Sequence, residues 1–429
     1  MIIHLFSLLA FREKTMSKVL FFNLPALGHT NPTLPLVAEL VRRGEQVIYY
    51  SSPAFQQAIE QTGATFRDSV TPFLNDETQF DENMIKVAYL LLQATSASIA
   101  LLLPLVREDK PDYIIHDGLC SWGKYIAQML EIPAICSITT FAVPLFSVKT
   151  IVQAFKIPGN ARLLFSTPMR DLARTIFEGR GQFMRFRALS NFLHKAYGIP
   201  KLHMADLFAN RALMNIVYTT RQFQPFEEMF DTSFKFVGPS IVPRPDSTAF
   251  PFDVLGDAPI IYISLGTVFN DQADFYRTCL EAFADSDRKV VLSVGKWTNI
   301  AALGSVPRNI IVREFVPQLE LLQRTALFVT HGGMNSVSEA LYYGVPFVVI
   351  PQTADQNLVG QRIEQLGAGK TMHKARVTAQ RLRAIAEEML AQPSYAQASA
   401  RLGKSFGQPE GYLRAADEIS TFKQLHGIH

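Results

Sequence analysis

Cysteine and charge are both scarce in this 429-residue sequence. The three cysteines, Cys120, Cys136 and Cys279, form no CxxC pair. This pattern argues against a disulfide framework or a structural zinc site and favours the reducing cytoplasm as the location. Charged residues make up only 18% of the sequence, and the net charge is +3. A nucleic-acid partner requires a concentrated basic face, so none is expected.

Long hydrophobic runs are few. Met1–Ala10 is apolar, but it is too short to span a bilayer and lacks the positive start and cleavage site of a signal peptide. We therefore expect residues 1–15 to be an extension outside the fold, with Met16 just before the first strand. Val87–Val106 is longer, but polar residues and Pro104 interrupt it. We predict a buried or pocket-lining helix there and no integral membrane span.

Apolar residues, by contrast, make up 48% of the sequence, which has 32 phenylalanines. Such a composition excludes a disordered or fibrous protein and is sufficient for the cores of two or three domains. Short β-branched or aromatic runs alternate with helical patterns, which predicts α/β domains with parallel sheets covered on both faces. The predicted strands are Val19–Asn23, Gln46–Tyr50, Tyr113–His116 and Ala134–Ser137 in the first half, and Ile260–Ser264, Val290–Val294, Ile310–Arg313, Leu327–Thr330 and Phe347–Ile350 in the second.

Three segments differ from this alternation. The segment 238–259 contains five prolines and is the best linker in the sequence, so we predict domains over 16–237 and 260–410 with a cleft between them. Residues 411–429 form a predicted last helix, for which a return to the first domain is one option. Residues 145–200 are helical, basic and rich in Phe and Leu. A solvated basic face over an apolar core and a variable lid over a hydrophobic ligand explain them equally well.

The stretch LFVTHGGMNSVSEALYYGVP (327–346) is the richest in chemistry. A predicted strand runs into His331-Gly332-Gly333, and Asn335-Ser336 opens a helix. Glycines let a ligand approach the backbone, and a helix N-terminus offers amides and positive potential, so the pattern fits a diphosphate. It has neither a P-loop lysine nor GxGxxG, so a Walker ATPase and a simple dinucleotide-binding fold do not fit. A tight strand-to-helix turn capped by Ser336 would explain the glycines, but not His331 and Asn335 together.

Three more loops follow predicted strands of the second half. Ser264-Leu265-Gly266-Thr267 is a flexible corner with two hydroxyls, and Phe315-Val316-Pro317-Gln318 offers a ring and an amide suited to a nucleobase. Asp355-Gln356 offers polar groups to a hydroxyl-rich ligand. Loops of each kind are common in proteins, so no single one of them indicates a ligand. Ligands of open parallel sheets bind at the carboxyl ends of the strands, so all these loops would face one crevice, and together they predict a nucleotide-sugar site.

The first half has its own candidates at strand ends. His29, in GHTNP before a predicted helix Asn31–Arg43, would point into the cleft, where a neutral imidazole can act as a general base. Asp117 ends another strand at the same edge, and its carboxylate would fix the imidazole tautomer. His116 should point to the opposite side of that strand and is interpreted as structural.

These motifs resemble those of a known family. LPALGHTNPTLPL, FVGPS, ISLGT, FVPQLELL, VTHGGMNSVSEAL and PQTADQNLVGQR stand in the order and spacing of the bacterial branch of glycosyltransferase family 1, the UDP-glycosyltransferase superfamily. The resemblance covers about residues 17–425 and is greatest to macrolide and flavonoid glycosyltransferases of bacilli. It implies the GT-B fold, which has two Rossmann-like, doubly wound parallel-sheet domains facing a cleft. Residues 16–237 would bind the acceptor and residues 260–410 the nucleotide sugar.

The resemblance also implies roles for individual residues. His29 would be the general base and Asp117 its partner. The implied donor-binding residues are Ser264, Gly266, Thr267, His331, Gly333, Asn335 and Ser336 at the diphosphate, Phe315, Val316 and Gln318 at the base, Glu339 at the ribose, and Asp355 and Gln356 at the sugar hydroxyls. Many relatives have Trp where this sequence has Phe315, which leaves both uracil and thymine open. The intact Asp355-Gln356 pair favours glucose.

The implied function is an inverting, metal-independent glycosyltransferase. It would move a hexose from a nucleotide-diphosphate sugar, with UDP-glucose expected, to a hydroxyl of a hydrophobic small molecule such as a macrolide, polyketide or flavonoid. A monomer without cofactor or metal is expected, and Asp285-Ser286-Asp287, an Asp-x-Asp sequence, is interpreted as an exposed turn. Two alternatives stay open. One is a membrane-associated lipid glycosyltransferase of the same fold, and the other is a non-catalytic nucleotide-sugar-binding module.

Overall fold

A computed structural model describes residues 16–69, 83–144, 169–242, 250–266, 272–407 and 410–429. The predicted extension 1–15, Thr267 and part of the predicted linker lie outside these residues.

The first domain carries a sheet of seven parallel strands. These are β1 Lys18–Phe22, β2 Gln46–Ser51, β3 Thr65–Asp68, β4 Tyr113–Asp117, β5 Ala134–Ile138, β6 Met214–Val217 and β7 Phe234–Phe236. Their order in the sheet is β3-β2-β1-β4-β5-β6-β7. Every residue of β4 and β5 is buried, because helices cover both faces of the sheet.

The second domain repeats this plan with six parallel strands. These are β8 Ile260–Ser264, β9 Val290–Ser293, β10 Ile310–Arg313, β11 Thr325–Thr330, β12 Phe347–Val349 and β13 Gly369–Thr371, in the order β10-β9-β8-β11-β12-β13. Each sheet grows from its centre to one edge and then continues on the other side of its first strand. The reversals lie between β1 and β4 and between β8 and β11, and open parallel sheets bind ligands at such points.

Helices connect the strands. They are α1 Leu27–Thr30, α2 Leu34–Arg42, α3 Gln56–Glu60, α4 Met84–Asp109, α5 Ser121–Met129, α6 Met169–Tyr197, α7 Ala273–Phe283, α8 Gln318–Leu322, α9 Met334–Tyr342, α10 Ala354–Gln365, α11 Ala379–Ala391, α12 Pro393–Ser405 and α13 Gly411–Leu425. The predicted fold class, two doubly wound α/β domains with parallel sheets, is confirmed. The turn Asp285–Asp287 lies between α7 and β9 with both aspartates exposed, in agreement with its interpretation.

The predicted helix Asn31–Arg43 is wrong at its start. The chain forms α1, breaks at Asn31–Thr33, and resumes as α2. The break coincides with Pro32, which cannot donate a backbone hydrogen bond. The Thr33 hydroxyl donates to the Thr30 carbonyl (2.8 Å) across this break. His29 therefore lies within a helical turn and not in an open loop.

The apolar stretch Val87–Val106 lies inside α4. By length and composition α4 could cross a membrane, since its most apolar 18-residue window has a mean hydropathy of 1.8, but half of that window is buried inside the protein. Residues such as Leu91 and Ile99 belong to the core of the first domain.

The last helix, α13, packs on the first domain. Lys423 forms an ion pair with Glu45, and the Ser17 hydroxyl donates to the same carboxylate (2.7 Å). At the other side of the helix Arg43 pairs with Asp417 at 2.8 Å. The chain therefore returns to the first domain after the second sheet is complete.

Helix α10 of the second domain is also fixed to the first domain. The Arg362 guanidinium donates to the carbonyls of Gln222 (2.7 Å), Phe223 (3.0 Å) and Gln224 (3.4 Å). The Phe223 ring is buried within the apolar core of the second domain. All three polar contacts are made to main-chain atoms of the first domain.

Candidate active site

The reversal point of the first sheet holds the predicted His–Asp pair. His29 follows β1, Asp117 ends β4, and Nδ1 of His29 lies 2.7 Å from Oδ2 of Asp117. The other carboxylate oxygen accepts the backbone N–H of Leu119 at 2.8 Å. The Asp117 side chain is 1% exposed and that of His29 15%. An imidazole that donates from Nδ1 to a buried carboxylate carries its lone pair on Nε2, the atom that a general base uses.

A third group contacts the same imidazole. Thr139 follows β5, is buried, and places its hydroxyl 3.0 Å from Nδ1 of His29. Because β5 neighbours β4 in the sheet, Thr139 and Asp117 approach the ring from adjacent strand ends. The ring of His29 is held by two oxygens.

The reversal point of the second sheet holds His331. A Cβ at Gly266 would lie 2.6 Å from the His331 ring, and one at Gly333 only 2.4 Å from it. Gly266 also has φ +80°, which favours glycine. The two glycines are thus required because the imidazole fills the space between the loops after β8 and β11.

The charge state of His331 follows from this packing. Burial by the surrounding protein lowers the pKa of His331 to about 4, and Asp355 and the Ser264 backbone oppose that shift. His331 is therefore neutral near pH 7. In that form one ring nitrogen can donate a hydrogen bond to a phosphate oxygen beside the N-terminus of α9.

The predicted base and ribose residues form a linked set. Gln318 donates from Nε2 to a carboxylate oxygen of Glu339 (2.6 Å) and to the Ser336 hydroxyl (3.4 Å). The Tyr262 hydroxyl donates to Oε1 of Gln318 at 3.0 Å, which fixes the amide orientation. Phe315 is 45% exposed, so its ring is accessible from solvent.

Val316 contributes differently from its neighbour. Its side chain packs against the core of the second domain. The side chain of Val316 is therefore part of the core, and its predicted contact with a nucleobase would be made by the backbone.

The predicted sugar-reading pair opens α10. The Thr353 hydroxyl donates to Oδ1 of Asp355 at 2.6 Å. The backbone N–H of Gln352 donates to Oε1 of Gln356 at 2.8 Å, so the amide NH₂ of Gln356 is the group turned away from the backbone. Asp355 offers an acceptor and Gln356 a donor, a combination that suits sugar hydroxyls.

Asn335, at the N-terminus of α9, also contacts the first domain. Its side-chain amide donates to the carbonyl of Gly28 at 2.9 Å, across the cleft. Gly28 precedes His29, so this bond joins the N-terminus of α9 to the helical turn that carries the predicted base.

Comparison with known proteins assigns the family. Residues 277–410 match the model of the erythromycin biosynthesis protein CIII-like C-terminal domain. Over 409 residues the chain is 34% identical to the uncharacterized UDP-glucosyltransferase YojK of Bacillus subtilis (strain 168), covering 94% of this chain and 97% of the relative. The chain belongs to the bacterial UDP-glycosyltransferase family.

Two further likenesses agree with this assignment. The NDP-glycosyltransferase YjiC of Bacillus licheniformis is 34% identical over 418 residues, with 96% of this chain and 98% of the relative covered. The crystal structure of the glycotransferase of kitacinnamycin superimposes with a TM-score of 0.76 at 28% identity, covering 95% of this chain and 99% of that one. The resemblance stated from the motifs and the GT-B fold are both confirmed.

In this glycosyltransferase, sequence reasoning missed the residues that orient the predicted ones. Thr139, Tyr262 and Gln352 each hold a predicted side chain through a single hydrogen bond. Thr139 was the easiest to find, because it lies two residues after a predicted strand at the edge that carries Asp117. Tyr262 lies within β8 and has no such signal.

Proposed function

We propose that this glycosyltransferase moves glucose from UDP-glucose to a hydroxyl of a hydrophobic small molecule, with inversion at C1 and without a metal ion. One observation carries the proposal. The His29–Asp117 pair lies at the reversal point of the first sheet, and a hydrogen bond from Asn335 at the N-terminus of α9 reaches the carbonyl of Gly28, the residue before His29. A base and a diphosphate site on opposite walls of one cleft suit a group transfer between two bound molecules.

His29 is the general base of the proposed reaction. Its Nε2 takes the proton of the acceptor hydroxyl while the acceptor oxygen attacks C1 of the sugar. The new C1–O bond forms as the bond from C1 to the β-phosphate oxygen breaks, and the electron pair of that bond leaves with UDP. Asp117 stabilises the imidazolium that results.

The second domain stabilises the leaving group. Negative charge accumulates on the β-phosphate as the bond between C1 and the β-phosphate oxygen breaks. In the proposed complex this phosphate lies beside the α9 N-terminus, His331 and Ser336. These donors are fixed before the reaction, since His331 is packed between Gly266 and Gly333. Such fixed donors provide positive potential at the β-phosphate without having to reorganise during the reaction.

Donor identity is proposed from two features. Glu339, held by Gln318, suits two ribose hydroxyls, and the oriented pair Asp355 and Gln356 suits glucose hydroxyls. YojK is named a UDP-glucosyltransferase, which supports UDP-glucose. Phe315, with its exposed ring, is compatible with either uracil or thymine.

The acceptor class is proposed from the family. The matching structure is named for kitacinnamycin, and the matching family model is named for erythromycin biosynthesis. Both names favour antibiotic-type acceptors. We propose a macrolide, polyketide or flavonoid with a reactive hydroxyl.

A direct assay tests the proposal. The purified full chain is incubated with UDP-glucose or dTDP-glucose and a panel of hydroxylated macrolides and flavonoids, with and without EDTA. Mass spectrometry should show addition of one hexose, more from UDP-glucose, and unchanged by EDTA. Proton NMR of the product should show a β-linkage, because an α-linked donor is inverted. No transfer to any panel member, or an α-linked product, would contradict it.

A further inference from the structure

The segment 294–298, named the β9 loop, occupies a central position in the second domain. It follows β9, which lies between β8 and β10 in the sheet. The loop after β8 carries Gly266 at the proposed diphosphate site, and the loop after β10 carries Phe315 at the proposed base site. Because all three strands are parallel, the β9 loop lies between these two sites at the carboxyl edge.

Backbone hydrogen bonds fix the start of the β9 loop beside Phe315. The N–H groups of Val294 and Gly295 donate to the carbonyls of Arg313 and Glu314, each at 2.9 Å. At the other end of the loop, Thr298 is buried, with 4% of its surface exposed. The residues between Gly295 and Thr298 therefore lie at the carboxyl edge of the sheet.

Those residues are Lys296 and Trp297. Trp297 is 59% exposed, whereas the other tryptophan, Trp122, is 1% exposed. The ammonium of Lys296 lies over the Trp297 ring, 4.7 Å from its centroid. Within the part of the chain that the structure describes, no ion pair includes Lys296. The cation–π contact holds a positive charge at the edge without engaging a carboxylate.

We propose that Lys296 and Trp297 complete the nucleoside-diphosphate site, with the Lys296 ammonium pairing with the diphosphate and the Trp297 indole contacting the nucleoside. An ammonium is a suitable point charge for a phosphate, and an indole face stacks on any base. This inference rests on the proposed donor site. It adds a cation that the HGGMNS motif lacks and a second aromatic ring beside Phe315.

Tryptophan fluorescence and calorimetry test it. In the wild type, UDP should quench the emission of Trp297. Trp297→Phe leaves only the buried Trp122, so the quenching should disappear while UDP still binds. Lys296→Ala should weaken UDP binding about 3- to 10-fold, the effect of losing a charged hydrogen bond at a partly exposed site, and should change uridine binding less than about twofold.

Two controls separate the possible failures. Lys404→Ala removes the same charge from an exposed position near the end of α12 and should leave UDP affinity unchanged. Wild-type UDP affinity in Lys296→Ala, or quenching that persists in Trp297→Phe, would overturn the inference. If His331→Ala weakens UDP binding in that case, the proposed donor site stands and only the role of the β9 loop is wrong. If His331→Ala also binds UDP normally, both proposals fail.

Discussion

The Thr139 hydroxyl lies 3.0 Å from Nδ1 of His29, the nitrogen that also faces Asp117 at 2.7 Å. The Asp117 carboxylate is the stronger acceptor, and Thr139 supplies a second oxygen from the neighbouring strand end. Two oxygens on one nitrogen restrict rotation of the ring and so fix the orientation of Nε2.

Thr139→Val should therefore reduce kcat about 3- to 10-fold with little change in the KM for UDP-glucose, because it removes an orienting hydrogen bond and keeps the shape. Thr139→Ser keeps the hydroxyl and should restore most of the rate. A loss in Thr139→Ser as large as that in Thr139→Val would contradict the orienting role of the hydroxyl.

His29→Ala should lower turnover about 10²- to 10⁴-fold, the usual contribution of a general base, with nearly unchanged UDP affinity. Asp117→Asn should lose less, because the amide still orients the ring although it stabilises the imidazolium poorly. Steady-state assays and UDP calorimetry on the same preparations check both statements. Turnover like that of the wild type in His29→Ala would falsify the proposed base.

Gln356→Ala should weaken UDP-glucose binding far more than UDP binding, since the Gln356 amide, whose oxygen accepts from the Gln352 N–H, is proposed to bind the sugar hydroxyls. His331→Ala and Ser336→Ala should weaken both ligands, because they act on the diphosphate. Gln365→Ala, the same change at the exposed far end of α10, is the control. Calorimetry with the two ligands gives the ratio, and a Gln356→Ala protein with equal losses for both would place the sugar elsewhere.

His116 makes stability depend on pH. Burial lowers the pKa of His116 to about 4, below its ordinary value of 6.5, and Lys124 adds to the shift. As the pH falls below 6.5, His116 binds a proton in the unfolded chain but stays neutral in the folded protein. The free energy of unfolding should fall by at most about 1.4 kcal/mol per pH unit from this group until pH 4.

Urea unfolding at pH 7 and pH 5 measures this dependence. His116→Gln removes the titrating group, so the variant should lose less stability than the wild type between the two pH values. An identical loss in both proteins would show that other groups control the acid limb.

Lys423→Ala should destabilise the protein by about 3 kcal/mol, because it leaves the buried Glu45 carboxylate without its cation. Arg42→Ala, which removes an exposed partner of Glu39, should have little effect. Urea unfolding followed by circular dichroism compares the two. Similar midpoints for both variants would mean that the Lys423–Glu45 ion pair contributes little to stability.

The sequence predicted those parts of the fold whose local pattern is strong. β8 is a run of buried apolar residues and was predicted with its observed bounds, as was β10. β13, which reads Gly-Lys-Thr, and β7, with a central lysine, have no such pattern and form because the adjacent strand offers hydrogen-bond partners. Short edge strands depend on tertiary pairing, which one segment does not reveal.

The residues of the candidate site also fall into those that the local sequence predicts and those that it does not. His29, Asp117 and His331 were found because polar residues at strand ends share one edge of a parallel sheet. The contact of Asn335 with Gly28 was not, since it depends on how the two domains meet. The same holds for Thr139 and Tyr262, whose partners are 110 and 56 residues distant in the chain.

The main-chain contacts of Arg362 bear on how enzymes of this kind can diversify. The guanidinium binds carbonyls at residues 222–224, which every amino acid supplies. Substitutions in the first domain can therefore reshape its pocket for a new acceptor while these polar contacts between the domains are preserved. A chimera that joins this second domain to the first domain of a relative should inherit these hydrogen bonds wherever the backbone path is retained. The same arginine fixes α10, the helix that carries Asp355 and Gln356, to the first domain.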